Sequence, residues 1–286
     1  MVVSFEGAAI ARRTWRWWQT ADRWGLHELV VVVLAFLLYF FIRGAVADRE
    51  ADAFANARDL IAMEKTFGFY WEGQMQAWVL DSEAWIRVMN WVYFWGHMPL
   101  VVAFAIWLYF GNRHAYSLVR NAFLASGAIA IAVYALYPVA PPRLLPDAGF
   151  IDTMAIYDRV GYQTQESQAF VNPFAAMPSL HFGWSLLLGA ALAWVGRRPG
   201  WVLVGTVWPT AMFFSVVLTA NHWIIDAAAG AIVSFAGLGV AVVIERRIWP
   251  AVQARWVRLA GHEQRPKERS GQGMGLSPGS EFEGSE

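Results

Sequence analysis

The sequence predicts an all-α integral membrane protein, built as a bundle of six transmembrane helices with extra interfacial helices after the first span. Hydrophobic residues make up 57% of the 286 positions and charged residues only 15%, a composition too apolar to cover a water-facing surface. Six apolar segments approach the length of about 20 residues that crosses the hydrocarbon core of a bilayer. Many of the 17 Trp residues lie near the ends of these segments, where amphipathic rings prefer the lipid headgroups.

Each predicted span is an apolar run bounded by polar or charged residues. The fourth and sixth runs begin inside polar motifs, which is typical of helices whose ends line a site. The predicted spans cover residues 29–46, 85–110, 118–137, 179–195, 201–218 and 224–244.

Basic residues predict the orientation of the chain, because loops that stay in the cytoplasm carry the excess of Lys and Arg. Arg residues are concentrated before the first span, between the second and third, between the fourth and fifth, and after the sixth. We therefore expect an integral plasma-membrane protein whose two termini are cytoplasmic. The predicted domains are a cytoplasmic amphipathic leader (1–28), a membrane catalytic domain (29–246) with an outer interfacial segment (47–84), and a cytoplasmic tail (247–286), disordered from about residue 270.

The formal net charge of zero and the absence of cysteine exclude several classes of function. A neutral chain offers no bulk electrostatic attraction for nucleic acid, so no nucleic-acid partner is expected. Without cysteine there are no disulfides, thiolate metal ligands or cysteine nucleophiles. The histidines lack the acidic companions of a two-metal phosphatase, so the sequence predicts neither a metal nor another cofactor.

The polar residues that can carry chemistry fall into three short clusters that are far apart in the sequence. They are Pro-Pro-Arg at 141–143, Met-Pro-Ser-Leu-His at 177–181, and Thr-Ala-Asn-His-Trp-Ile-Ile-Asp at 219–226. The predicted topology places all three at the outer, non-cytoplasmic surface of the membrane. This convergence predicts one shared site on the extracytoplasmic side.

The third cluster holds a histidine and an aspartate four residues apart, so His222 and Asp226 share one face of a helix. The carboxylate can accept the Nδ1 proton of the ring and leave Nε2 as a lone-pair nucleophile, as a phosphohistidine requires. A structural His–Asp pair is the alternative. His181 in the second cluster can protonate a leaving oxygen as general acid, although a histidine at a helix end is also typical of a cap or a core position.

The predicted phosphate-binding residues are Arg143 and Ser179. Arg143 follows two prolines that fix the backbone, and a guanidinium can hold two phosphate oxygens at once. A surface arginine in contact with lipid headgroups is the alternative. The Ser179 hydroxyl can donate to a phosphate oxygen or simply cap the helix that follows it.

Further candidate substrate contacts are Asn221 and three residues of the second span. The residues Asn90, Tyr93 and His97 are spaced three and four apart and therefore share one helical face. That face either lines the site or makes interhelical hydrogen bonds.

Residues 51–80 are too polar to span the membrane and form either short interfacial helices or a linker that rests on lipid. Side chains of this outer region that can recognise a headgroup, without an assigned catalytic step, are Arg43, Asn56, Glu64, Glu72 and Gln74.

The order of the three clusters, with Gly230 after the last, resembles the type 2 phosphatidic acid phosphatase superfamily of membrane enzymes. The likeness covers about residues 85–244 and implies a six-helix bundle. It is closest to the branch of inositol phosphorylceramide synthases and their bacterial relatives, on the motifs at 137–143 and 177–181. In such enzymes the residue matching His222 is the nucleophile, the one matching Asp226 orients it, and the one matching His181 is the acid.

The chain departs from the superfamily pattern at three positions. It has Leu136 where the first motif has Lys, Leu180 where the second has Gly, and Val216 where the third has Arg. Fewer cations around the phosphate favour the synthase branch over a generic phosphatase. We therefore expect a phosphotransferase that moves a phosphoryl or phospho-head group, for instance phosphoinositol, from a phospholipid or polyprenyl-phosphate donor to a lipid or sugar hydroxyl.

Two alternatives stay open on the sequence. With water as the acceptor, the enzyme is a lipid phosphate phosphatase that acts on phosphatidate or on a polyprenyl phosphate or diphosphate. Without catalysis, the polar helix ends form a lipid-binding or transport cavity. The sequence has no convincing inverted repeat of the kind that many transporters contain.

Overall fold

The computed structural model describes residues 49–157, 173–252 and 254–255, together with Leu26, 28–31, 33–35 and Leu37. The described residues before position 38 are helical. Most of the predicted leader (1–28), most of the first span (29–46), Arg43 and the tail beyond residue 255 lie outside the described residues.

Regular structure in the described ranges is helical, apart from one isolated parallel bridge between Val139 and Ala175. Two short 3-10 turns, Pro142–Leu144 and Pro146–Ala148, follow the fifth helix. A π-helical turn, Ile244–Ile248, follows the ninth α-helix in the chain. The α-helices with described bounds are α1 (Glu50–Phe67), α2 (Glu72–Leu80), α3 (Glu83–Phe94), α4 (Met98–Gly111), α5 (Arg113–Leu136), α6 (Thr153–Tyr157), α7 (Leu180–Gly196), α8 (Pro199–Leu218) and α9 (Ile224–Val243).

Three helical segments among the described residues are long and apolar enough to cross a membrane: α5, α8 and the run Ile224–Val252 that begins with α9. Helices α3 and α4 pass the same test as a pair but meet at a bend of 46°. Helix α7 is apolar but has only 17 residues. An α-helical membrane protein is therefore confirmed, with three candidate spans or four if the bent pair is one span. The total of six stays a prediction.

The bend interrupts the segment that the sequence predicts as the second span, residues 85–110. Helix α3 ends at Phe94, and Pro99 lies in the first turn of α4. Proline is tolerated there because the first N–H groups of a helix have no intrahelical acceptor, whereas in a continuous helix its ring would clash with the preceding turn. The chain therefore breaks at residues 95–97, and His97 lies at the break.

Large apolar side chains are exposed along the candidate spans. Leu136 at the end of α5 is 79% exposed, and Ile232 in α9 is 70% exposed. Proteins surrounded by water rarely expose contiguous apolar surface of this kind. These side chains are placed where the hydrocarbon of a bilayer would contact them.

Helix α9 packs against α5 and α7, and α7 also packs against α8. Hydrogen bonds tie the helix ends together. The Tyr134 hydroxyl, near the end of α5, donates to the Pro178 carbonyl at 2.7 Å, and the Ser179 amide donates to the Asp226 carbonyl at 2.9 Å. The last turn of α5 and the first turns of α7 and α9 therefore lie together at one end of the bundle.

The described part of the segment 47–84, which the sequence predicts to lie at the outer interface, contains α1 and α2. Helix α1 ends at Gly68, whose φ of 80° is the left-handed conformation that glycine adopts readily. Ala53 and Ala57 are fully buried, in an apolar cluster that also contains Val139 and Trp223. Helix α1 is thus packed on the loops that connect the bundle rather than forming a loose linker.

Helix α9 approaches the chain before α7 at Gly230, where an added Cβ would overlap the Ser179 carbonyl oxygen. We expect Gly230→Ala to lower the free energy of unfolding by about 1–3 kcal/mol, because backbone on both sides leaves no flexible side chain to move away. Gly239→Ala on the same helix is the matched control, since a Cβ there meets nothing within 4 Å. Thermal unfolding in detergent measures both variants. A Gly230→Ala protein as stable as Gly239→Ala would contradict the close approach.

Candidate active site

His222 lies in the reverse turn between α8 and α9. Helix α8 ends at Leu218, and Ala220 adopts a left-handed φ of 54° as the chain reverses. The amides of Asn221 and His222 both donate to the Val216 carbonyl, at 3.1 and 3.0 Å. These bonds hold the buried His222 just before the first turn of α9.

A backbone carbonyl orients the His222 ring. Its Nδ1 lies 2.8 Å from the Ala176 carbonyl oxygen and 3.5 Å from Asp226 Oδ2. A carbonyl oxygen can only accept a hydrogen bond, so Nδ1 carries the proton in the neutral ring and Nε2 keeps its lone pair. The sequence predicts Asp226 as the direct acceptor, but in the structure the nearer acceptor is Ala176. Either acceptor leaves Nε2 as the nucleophilic atom.

Asp226 caps the helix on which it lies. Its Oδ2 accepts a hydrogen bond from the Trp223 amide at 2.8 Å, so one carboxylate oxygen faces both the helix start and the His222 ring. Asp226 is fully buried, and its Oδ1 has no hydrogen-bond partner among the described residues. The helix dipole favours a negative charge at this end. The same charge can stabilise a positively charged His222 ring.

His181 lies in the first turn of α7, and its ring centroid is 5.8 Å from that of His222. The Tyr93 ring stacks on it at a centroid distance of 4.4 Å, and the His97 ring lies at 4.5 Å. The separation of His181 and His222 is short enough for one phosphate group to contact both rings. The structure thus brings the predicted acid and the predicted nucleophile to one place.

His97 brings a buried nitrogen next to His181. Its side chain is 2% exposed, and its Nδ1 has no hydrogen-bond partner among the described residues. An unsatisfied buried polar atom costs about 1–3 kcal/mol, so it needs an explanation, and a functional site is a common one. The sequence offered an interhelical hydrogen bond as the alternative role of His97, but within the described ranges its Nδ1 forms no such bond.

Asn90 is on the same helix as Tyr93 but is held by a different part of the chain. Its amide group donates to the Thr153 carbonyl at 3.1 Å, and its Oδ1 accepts from the Thr153 hydroxyl at 2.9 Å. Both polar atoms of this side chain therefore fasten the start of α6 to α3. The three residues predicted to share one face therefore have different partners. Tyr93 and His97 contact the His181 ring, whereas Asn90 binds Thr153.

Arg143 is fixed by three hydrogen bonds. Its backbone amide donates to the Ala220 carbonyl at 2.9 Å. Its Nε donates to Asn221 Oδ1 at 2.9 Å, and its Nη1 donates to Asp152 Oδ2 at 3.2 Å. Further guanidinium N–H groups stay available for phosphate oxygens. Because Asn221 precedes His222, these bonds connect the predicted phosphate-binding residue directly to the turn that carries the predicted nucleophile.

Ser179 occupies the position before α7 and is fully buried. Its hydroxyl accepts from the Phe182 amide at 3.5 Å, a long contact. The capping role that the sequence offered as the alternative is therefore present. It uses the hydroxyl oxygen as an acceptor and leaves the hydroxyl hydrogen to donate to a phosphate oxygen.

Sequence reasoning missed the groups that hold the site in place. Asp152 and the Ala176 carbonyl are two of them. Glu64 and Glu72 are fully buried at the start of α9, where a direct contact with a lipid headgroup is not available. The signal in the sequence is indirect: the apolar stretch Trp-Ile-Ile at 223–225 provides no side-chain cap, so the first amides of α9 need acceptors from elsewhere.

The other candidate headgroup residues are placed differently. Asn56 in α1 donates to the Pro138 carbonyl at 2.8 Å, and Gln74 in α2 is exposed. Within the described ranges, no group of three or more His, Asp or Glu side chains is arranged so that it could hold a metal ion. The metal-free chemistry stays a prediction from the sequence.

Comparison with known proteins adds one finding. A family model described as the PAP2 superfamily matches residues 58–240. No curated protein and no solved structure matches the chain. The matched range contains all three polar clusters.

Proposed function

Because the chain belongs to the PAP2 superfamily, we propose that it is a metal-independent membrane phosphotransferase that acts through a phosphohistidine at His222. It takes a phosphoryl or phospho-head group, for instance phosphoinositol, from a lipid donor and passes it to a hydroxyl acceptor. Membership of the superfamily and the apolar helices point to a membrane protein with phosphatase or phosphotransferase activity on lipid phosphates.

The observation that carries the proposal is the orientation of the His222 ring. With Nδ1 bound to the Ala176 carbonyl at 2.8 Å, the lone pair of a neutral ring is on Nε2. Asp226 Oδ2 lies 3.5 Å from the same Nδ1 and offsets the positive charge that a phosphorylated ring acquires. An acceptor beside one ring nitrogen and a lone pair on the other are what nucleophilic catalysis by histidine requires.

In the first step His222 Nε2 attacks the donor phosphorus and forms a P–N bond. The P–O bond to the lipid alcohol breaks, and its electron pair stays on the leaving oxygen. Protonated His181 gives that oxygen its proton, so the alcohol leaves neutral and His181 becomes neutral. The centroid distance of 5.8 Å between the two rings supports this division of roles.

In the second step the acceptor hydroxyl attacks the phosphorus of the phosphohistidine. The P–N bond breaks, and its electron pair returns to His222 Nε2. The hydroxyl proton passes to neutral His181, which regains the proton that it lost in the first step. The enzyme returns to its starting state, and the sum is the exchange of one alcohol for another on phosphorus.

Charge on the phosphate oxygens is held by Arg143 and Ser179 in this proposal. Phosphoryl transfer depends mainly on positioning and on charge stabilisation. The Arg143 guanidinium is already oriented by Asn221 and Asp152, so it loses little freedom when substrate binds. Tyr93 and His97 line the His181 side of the site and are the candidate contacts for the acceptor or the departing alcohol.

Two apolar positions favour transfer over hydrolysis. Leu136 and Val216 stand where the superfamily pattern carries Lys and Arg. Leu136 is 79% exposed and Val216 is fully buried, and neither supplies a charge to the phosphate. A phosphomonoester carries close to two negative charges at neutral pH, whereas the phosphodiester of a phospholipid head group carries one. A site with fewer cations is better suited to a diester donor, such as a phospholipid, than to a monoester donor, such as a polyprenyl phosphate.

The membrane arrangement in this proposal follows the distribution of charge. Six spans form a catalytic domain over residues 29–246, both termini lie in the cytoplasm, and the site faces the extracytoplasmic side, with α1 and α2 in the outer segment 47–84. The donor is a phospholipid or a polyprenyl phosphate, and the acceptor is a lipid or sugar hydroxyl. Both are delivered from the surrounding membrane lipids and from the outer aqueous phase.

The test is lipid mass spectrometry after incubation of the purified protein with phosphatidylinositol, other phospholipids, polyprenyl phosphates and candidate acceptors. We expect a new lipid that carries the donor's phosphorylated head group, and its absence with His222→Ala. Dephosphorylated lipid and free phosphate would instead establish a phosphatase. Identical lipids with wild type and His222→Ala across the panel would contradict the proposal and favour lipid binding or transport.

A further inference from the structure

Two glutamates from the outer segment reach the start of the helix that follows His222. Glu72 Oε1 accepts a hydrogen bond from the Ile224 amide at 2.9 Å, and Glu64 Oε1 accepts from the Ile225 amide at 3.0 Å. Both side chains are fully buried. Nothing in the catalytic steps uses them, yet they satisfy the two amides at the beginning of α9 that lack intrahelical partners.

The second oxygen of each carboxyl group is also buried. Glu64 Oε2 and Glu72 Oε2 find no donor among the described residues. A carboxylate can only accept a hydrogen bond, so two ionised groups here would repel each other without compensation. One proton on the pair removes the conflict, because a protonated carboxyl donates to its neighbour.

We propose that Glu64 and Glu72 form a carboxyl pair that holds a single proton and positions His222 by binding the first amides of α9. The pair does not touch the phosphate, so its members are positioning residues and not catalytic ones. The proposal rests on the proposed function, because the position of His222 matters only if His222 reacts. In this proposal α1 and α2 position the nucleophile, a role different from the headgroup recognition that the sequence predicted for their side chains.

The pair acts through the first turn of α9. Carboxyl oxygens bind three successive amides there, with Asp226 on the Trp223 amide at 2.8 Å and the two glutamates on the next two. These contacts fix the position of Trp223, and His222 is its neighbour in the chain. They also occupy the amides that would otherwise attract an anion to this helix end, so the phosphate is left to Arg143.

The charges around the pair support a single proton. Burial raises the pKa of Glu64 to about 9, and its hydrogen bond and charge repulsion with Glu72 act in the same direction. The Asp226 charge raises the pKa of Glu64 further, while the bond from the Ile225 amide lowers it. Tyr70 faces the same group: burial, then Glu72 and Glu64, raise the pKa of its hydroxyl. The Lys65 ammonium lies over the Tyr70 ring, at 4.9 Å from its centroid.

The pKa of Glu64 lies above its ordinary value of 4.5, so the folded protein retains a proton that the unfolded chain would lose. The single-proton pair is intact at neutral pH and is lost as the pH rises through about 9. Above that pH both Glu64 and Glu72 are ionised and repel Asp226. The hydrogen bonds to the α9 amides then weaken, and the His222 ring shifts from its position.

Glu64→Gln tests the proposal, because glutamine imitates the protonated group and cannot ionise. Its amide oxygen can accept from the Ile225 amide, and its NH2 group can donate to Glu72. Glu64→Ala removes both bonds. Glu50→Gln, at an exposed acid of the same helix, is the matched control. Each protein is purified in detergent, and thermal unfolding identifies any variant that does not fold.

Two readouts do not require turnover. In the infrared spectrum, the carbonyl stretch of a protonated carboxylic acid is expected in wild type and Glu50→Gln at neutral pH, and it is expected to be absent in Glu64→Gln. In ¹⁵N spectra of histidine-labelled protein, the His222 signal is assigned by its loss in His222→Ala. We expect this signal to shift above about pH 9 in wild type and to stay constant in Glu64→Gln.

Turnover of the lipid panel gives the third readout. We expect Glu64→Gln to stay within about three-fold of wild type at neutral pH and to lose the alkaline fall, whereas Glu64→Ala falls roughly 100-fold, the effect of a misplacement of about 1 Å. The proposal is overturned if the acid band persists in Glu64→Gln, or if the alkaline shift of His222 is the same with glutamine. Full activity of His222→Ala would contradict the proposed function but not the carboxyl pair. The infrared and ¹⁵N readouts test the pair independently of turnover.

Discussion

His222→Ala lowers turnover of the lipid donor by a factor of roughly 10⁴ or more, the size seen when a covalent nucleophile is removed and only binding and charge stabilisation remain. The reason is specific to this site. The His222 ring combines a fixed Nδ1 hydrogen bond, at 2.8 Å from the Ala176 carbonyl oxygen, with a neighbouring Asp226 carboxylate at 3.5 Å. Initial rates of product formation, followed by mass spectrometry, measure the loss.

His114→Ala is the control for the removal of a histidine. His114 is exposed in the first turn of α5, and we expect its variant to turn over like wild type. Thermal unfolding should show that His222→Ala folds, because alanine removes the ring contacts with the Ala176 carbonyl and Asp226 but keeps the backbone hydrogen bonds of the turn. A His222→Ala protein that folds and keeps more than about a tenth of the wild-type rate would contradict a covalent role, since a ten-fold change in rate is only about 1.4 kcal/mol.

His181→Gln lowers turnover of a lipid donor by roughly 10²- to 10⁴-fold, the usual range for loss of a general acid. A departing lipid alkoxide is a poor leaving group, so it needs the proton that His181 supplies. A p-nitrophenyl ester of the same head-group phosphate is a different donor, because its phenolate leaves without protonation. We expect His181→Gln to release the first equivalent of p-nitrophenol at close to the wild-type rate.

The comparison of the two donors separates the acid role from a structural one. His181 lies between the rings of Tyr93 and His97, at 4.4 and 4.5 Å, and glutamine also disturbs that packing. A structural defect would slow both donors alike. Equal losses for the lipid and the p-nitrophenyl ester would therefore contradict the acid assignment, even if the lipid rate fell by the expected amount.

The long helices were predictable because the bilayer imposes their length and composition. Helices α5, α8 and α9 are apolar over about the length that a membrane requires, and composition alone reveals such segments. The bend between α3 and α4 was not recognised, although Pro99 is a local signal for it. Helix α7 has only 17 residues, which is near the lower limit of that length. Whether it crosses the membrane depends on its packing against other helices, which a hydropathy pattern does not reveal.

The residues that meet at the candidate site were predictable because ionisable groups are rare in a membrane. His222, Asp226, His181 and Arg143 are ionisable groups at the ends of apolar helices, and such groups indicate function. The supporting groups were not predictable. The acceptor for His222 Nδ1 is the carbonyl of Ala176, and every residue has a carbonyl, so the residue type gives no signal.

The burial of the two glutamates is a tertiary effect. Glu64 binds the Ile225 amide and Glu72 binds the Ile224 amide, across more than half of the chain. In the sequence both residues belong to a polar segment, and such side chains are usually solvated. Only the packing of α1 and α2 on the loops of the bundle shows that they face the start of α9.

The mass of the His222 peptide during turnover shows directly whether a phosphohistidine forms. Wild-type protein is mixed with phosphatidylinositol and no acceptor, quenched without acid, digested and analysed by mass spectrometry. We predict an adduct on His222 whose mass equals phosphoinositol, and its disappearance on addition of a hydroxyl acceptor. In a parallel reaction with phosphatidate, an adduct of phosphoryl mass that is discharged to free phosphate by water would keep the nucleophile and make the enzyme a phosphatase. The absence of any adduct on His222, while product still forms, would contradict the account.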